Sequence, residues 1–132
     1  MSFQLHERLE KDAIYVSDKS LCQIRLVNNS DFPWLILVPK LENITEITDL
    51  SLEQYQKMNS EILDVSKIMQ KLFSPDKLNI ATIGNIVSQM HIHIIARYKN
   101  DKLFPDPVWG HPATPYSEQE LKRMQENLLS LL

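Results

Sequence analysis

Apolar positions along the chain follow two periodicities. From Ser51 to Phe73 they fall at Leu52, Tyr55, Met58, Ile62, Val65, Met69 and Leu72, steps of three and four that predict one face of a long helix. Ser51 with Gln54 forms a capping-box signal at its start, and Pro75 closes the far end. A last helix is predicted from about Ser117, where Ser117 and Glu120 repeat that signal ahead of Leu121, Met124, Leu128 and Leu131. Elsewhere the runs are short and bounded by Ser, Asp, Asn or Pro, as strands are: Ile14–Val16, Cys22–Val27 and Trp34–Val38, then Leu78–Gly84 and Met90–Ala96. The first three, tightly linked, predict an antiparallel meander. Cys22–Val27 alternates and reads as half-buried, whereas Trp34–Val38 is apolar throughout and reads as a central strand covered on both faces. Gly84-Asn85 begins the connection between the last two strands. Phe3 to Asp12 suits one or two helical turns. Strands grouped before and after one long helix predict an α+β fold.

Composition narrows the picture. With 132 residues, 43% of them hydrophobic, and no repeat or Gly/Ser-rich linker, residues 1–132 are expected to form a single domain. Fourteen Lys and Arg against seventeen Asp and Glu leave a net charge of -3, which gives no positive field for a polyphosphate backbone, so nucleic acid is not an expected partner. The one cysteine, Cys22, cannot form an internal disulfide and reads as a small buried residue. The first residues show no basic region followed by a signal-length apolar stretch, and the longest apolar run stops at Pro39. A cytoplasmic location with no membrane partner is the expectation.

Candidate chemistry concentrates in Gln89-Met90-His91-Ile92-His93-Ile94-Ile95-Ala96-Arg97. Alternation on a strand would turn Gln89, His91 and His93 to one face, about 6.6 Å between neighbours, and Met90, Ile92 and Ile94 into the core. Imidazole can attack an electrophile, donate a proton or bind a metal, and spacing alone does not choose. A Zn²⁺ or Fe²⁺ site on His91 and His93 would need a third ligand that no telling spacing supplies. Isolated His6 and His111 read as solvated surface.

The longer string Gly84-Asn85-Ile86-Val87-Ser88-Gln89-Met90-His91-Ile92-His93-Ile94-Ile95 resembles the signature of the histidine-triad (HIT) superfamily of nucleotide hydrolases and transferases, Gly-Gln-x-Val-x-His-φ-His-φ-His-φ-φ with φ apolar. Asn85 stands at the usual Gln, His91 at the middle His, His93 at the third, and Gln89 replaces the first. The resemblance extends to Phe32–Lys40, whose end looks like the family's Val/Ile-Pro-Lys, to the long helix, and to Arg97 and Trp109-Gly110. It implies the HIT fold, a five-stranded antiparallel sheet with one long helix and a C-terminal helix, commonly paired as a homodimer. It also implies a purine nucleotide substrate attacked at its α-phosphate by His91 through a covalent nucleotidyl-histidine, with His93 against the non-bridging oxygens and no metal or other cofactor. Asn85 and Gly84 would line the phosphate, and Asn28 or Asn29, with Asp31 nearby, would stand where the family holds the ribose; the same residues also suit a plain turn. Gln89 cannot relay a proton but can hold geometry. That favours leaving groups that depart without protonation, dinucleoside polyphosphates ahead of nucleoside phosphoramidates. A noncatalytic nucleotide-binding dimer is the alternative. Trp34 and Ile24 are candidates for a base pocket or simply core, and the Pro-rich segment Leu103–Pro112 for a lid or dimer contact, with Trp109 either functional or packed.

Overall fold

The structure, a computed structural model, describes residues 3–132. The order of elements is α1 (Glu7–Asp12), β1 (Ala13–Asp18), β2 (Cys22–Val27), β3 (Trp34–Pro39), a 3₁₀ turn (Ile47–Asp49), α2 (Leu52–Phe73), β4 (Lys77–Ala81), β5 (Ile92–Arg97) and α3 (Glu118–Leu131). The five strands form one antiparallel sheet in the order β1-β2-β3-β5-β4, the α+β architecture that the sequence predicts. Both expected capping boxes are made, Ser51 with Gln54 and Ser117 with Glu120. The β4 strand is shorter than the predicted Leu78–Gly84 and β5 starts later than Met90, so the connection between them is longer than expected and runs over residues 82–91.

β3 is central, and its alternation divides the core. Leu35 and Leu37 face α2 and α3 with Ile24, Leu26, Ile92 and Ile94, against Met58, Val65, Met69 and Leu128. Ile24 therefore belongs to the helix side and not to a base pocket. Ile36 and Val38 face the other way and are covered by the N-terminal segment and α1 through Leu5 and Leu9. Glu61, buried on α2, accepts hydrogen bonds from the N–H groups of Leu21 and Cys22 and so ties the helix to the β1–β2 turn. Cys22 is buried as expected, and burial beside Glu61 pushes its thiol pKa far up. Among the described residues no helix is long and apolar enough to cross a membrane.

The sheet face opposite α2 is organised by a charge. Arg97 ends β5 at 1% exposure, its guanidinium donating to both Asp101 oxygens at 2.8 and 3.1 Å and to Asn79 at 2.8 Å. It lies over the rings of Phe32 and Phe104, 5.2 and 5.7 Å from their centroids. Asp101 also accepts from the N–H groups of Tyr98, Leu103 and Phe104, which bends the chain back across the sheet. Burial alone would push the Asp101 carboxyl up, but Arg97 and these N–H groups hold it well below the usual carboxylate range. The returning strap packs Val108 on Phe32 and Ile95. Asp101→Ala leaves the guanidinium buried and unpaired, so urea unfolding should show a loss of about 3–5 kcal/mol; a stability equal to that of the parent would refute this account.

Candidate functional site

The site lies where β5 begins. Ile92, Ile94 and Ala96 face the helices, while His93 and Ile95 face the strap, as the predicted alternation requires. The strand does not reach Gln89, however. It starts at Ile92, because the N–H of Met90 donates to the Ile44 carbonyl at 2.9 Å, a loop contact and not a sheet pairing. His91 sits just ahead of the strand at 8% exposure, and its Nδ1 lies 2.8 Å from the Gln89 carbonyl oxygen. A carbonyl only accepts, so Nδ1 carries a proton, and in the neutral ring Nε2 keeps the lone pair.

His93 is built by register. Trp34 pairs with Ile95 across β3 and β5, which makes it the diagonal neighbour of His93, and its indole N–H donates to His93 Nδ1 at 3.0 Å. Trp109, delivered by the strap, meets the same imidazole edge-on at 4.6 Å between centroids, and the His91 ring is 4.9 Å away on another side. Burial, helped by the proximity of His91, pushes the His93 pKa down to about 3. Trp34, open between core and base pocket from the sequence, thus holds one of the two site imidazoles. An indole N–H on a strand needs an acceptor when buried, and that was the available signal.

Gln89 departs most from the sequence expectation of three aligned side chains. Its Oε1 accepts from the N–H of His6 and its Nε2 donates to the carbonyl of Gln4, both at 2.8 Å. Residues 4 and 6 of an extended chain offer that carbonyl and N–H on one side, so the carboxamide pairs with them as a neighbouring strand would. An imidazole, whose two nitrogens point away from each other, cannot make both bonds. His6, expected to be idle surface, caps α1 by accepting from the N–H of Arg8 through Nδ1. A cavity of about 510 Å³ opens between Gln4 and His6, the loop 41–45, and Ser88 and Gln89.

The remaining expected residues are placed as follows. Gly84 adopts φ +69°, a conformation that favours glycine, and turns the loop that carries exposed Asn85. Asn28 accepts from the N–H of Tyr116, and buried Asn29 accepts from the N–H of Asp31, so both anchor or shape the turn beside the strap. Asp31 accepts from the Thr114 hydroxyl at 2.8 Å. His111 is exposed. Among the described residues no third His, Cys, Asp or Glu joins His91 and His93 in a metal-holding group.

The five-stranded antiparallel sheet carries His93 on β5, with His91 just ahead of that strand. The HIT domain family model matches residues 8–100, and the chain belongs to that family. It is similar to a histidine triad protein from Marinobacter aquaeolei VT8, with 42% identity over 100% of this chain and 97% of that one and a TM-score of 0.96. A histidine triad protein from Sinorhizobium meliloti 1021 shares 39% identity over 98% and 97% of the two chains, TM-score 0.94. One from Bradyrhizobium japonicum shares 36% over 99% and 98%, TM-score 0.95. No match was found among curated protein sequences.

Two outcomes follow. In the unfolded chain His93 protonates near the ordinary value of about 6.5, but in the fold it stays neutral down to about 3. Between those values the unfolded state binds more protons, so stability should fall as pH drops, by up to about 1.4 kcal/mol per pH unit from this group, and should be retained in full above the window. His93→Gln should flatten that part of the denaturation profile relative to the parent; parallel profiles would refute the assignment. In Gln89→His, loss of two hydrogen bonds, each worth about 0.5–1.5 kcal/mol, should speed amide exchange at His6 by tenfold or more. Unchanged protection at His6 would show that the N-terminal segment docks by other means.

Proposed function

We propose that this protein transfers or hydrolyses nucleotides at the α-phosphate through a nucleotidyl-histidine on His91. The observation that carries the reading is the complementary state of the two imidazoles. His91, its Nδ1–H committed to the Gln89 carbonyl, offers a lone pair at Nε2; His93, its Nδ1 accepting from Trp34, offers an N–H at Nε2. A lone pair beside a donor suits attack on a phosphorus whose non-bridging oxygens gain charge. His91 Nε2 forms the P–N bond, the bond to the leaving group breaks with its electron pair, and water then releases the nucleotide. Asn85 and the loop turned at Gly84 would receive the phosphate. The oxygen of Asn28 is taken by Tyr116, so its NH₂ is the group left for a ribose hydroxyl, with Asn29 holding the turn.

Gln89 has no proton to relay, and its amide is engaged with the N-terminal segment, which supports substrates whose leaving groups depart readily. Dinucleoside polyphosphates come first in this reading and nucleoside phosphoramidates second. A homodimer is part of the proposal: β4 is a free sheet edge carrying Ile80, 48% exposed, and a second copy would cover it.

Intact-protein mass spectrometry after brief exposure to diadenosine tetraphosphate and to an adenosine phosphoramidate tests the reading, with product release followed in parallel. An adenylyl adduct or products that vanish in His91→Asn, while the variant keeps the parent's circular dichroism, are expected. Neither adduct nor product from a protein that still binds AMP would replace this reading with that of a nucleotide-binding module, and equal turnover by His91→Asn would sink the nucleophile.

A further inference from the structure

We infer that Trp34 is a positioning residue, whose indole N–H selects the tautomer of His93 and so decides that this ring turns a donor, not a lone pair, toward the ground it shares with His91. A neutral imidazole has one proton and two nitrogens, and in water both tautomers are open to it. Here the choice is removed. The indole nitrogen can only donate, so His93 Nδ1, 3.0 Å away, must be the acceptor and the ring proton must sit on Nε2. His91 is set the opposite way by the carbonyl of Gln89. The rings, 4.9 Å apart and inclined by 68°, therefore differ in what their free edges carry although they are chemically identical.

The surroundings hold this arrangement in place. Trp34 is anchored by its pairing with Ile95 and packs against Trp109 at 5.5 Å, and Trp109 closes the other side of His93 at 4.6 Å. Flipping His93 would lose the indole bond and strand that N–H without a partner. Burial keeps the ring neutral across the physiological range, so the tautomer is the one chemical freedom left to it, and Trp34 removes it. With the other tautomer, two lone pairs would face an incoming phosphate oxygen and repel it.

The benefit to phosphate chemistry rests on the nucleotidyl-transfer reading, whereas the tautomer does not. Long-range proton–nitrogen NMR of the imidazoles near neutral pH separates the two. In the unaltered protein His93 should show a pyridine-type Nδ1 and a pyrrole-type Nε2, and His91 the reverse. Trp34→Phe keeps the aromatic packing and removes the N–H; its His93 signals should move toward the average of the two types. Its kcat/KM for diadenosine tetraphosphate should fall about tenfold, mostly in kcat. A proton on Nδ1 of His93 in the unaltered protein overturns the inference whatever the activity, and so does an unchanged spectrum in Trp34→Phe. Should that variant not fold, the Trp34 Nε1–H of the unaltered protein decides: slow exchange and a downfield shift support the bond, and free exchange refutes it. Absence of turnover in the unaltered protein would count against nucleotidyl transfer alone.

Discussion

A guanidinium taken out of water must be surrounded by acceptors and flat apolar surface, and meeting that demand at Arg97 shapes one whole side of the molecule. Asp101 comes back four residues later to pair with it, Asn79 reaches across from β4, and the rings of Phe32 and Phe104 lie beneath it. The bend at Asp101 is what starts the strap. The strap in turn brings Trp109 to His93, with Thr114 and Tyr116 moored to the turn after β2. A structural ion pair at the end of β5 thus reaches the imidazole four residues earlier on the same strand, not through the strand but through the loop that follows it.

The surroundings of His91 depend on Gln89, whose side chain and main chain point to different partners. Gln89 spends its carboxamide on the backbone of residues 4 and 6. Its backbone carbonyl, which any residue would supply, orients His91. One position therefore serves two purposes at once: main chain toward the nucleophile candidate, side chain toward the N-terminal segment that walls the adjoining cavity. Gln89 thus makes a docking contact with a side chain that does not titrate.

Local signals were the legible ones. β2 begins and ends where alternation places it, and both capping boxes form, because a serine and the residue three places on meet within a single helical turn. Alternation likewise put His93 on the sheet face away from the helices, against Trp109. What the chain could not disclose was contact across distance: Trp34 meets His93 over 59 positions, and Gln89 meets His6 over 83. Alternation of polar and apolar residues continued past the true start of β5, since periodicity records which face a residue would take and not whether its backbone finds a partner strand. Asn28 and Asn29 looked like either a turn or a ribose contact, and their side-chain oxygens are in use within the structure, a matter of neighbours that no spacing reveals.

The chain contains two tryptophans, Trp34 and Trp109, and both touch the same imidazole. Its indole emission therefore originates within a few ångströms of His93, with no contribution from the helices or the far side of the core. The protein carries its own optical gauge at the site: a change in ring charge, solvation or occupancy beside His93 registers in the total tryptophan signal undiluted, without a label.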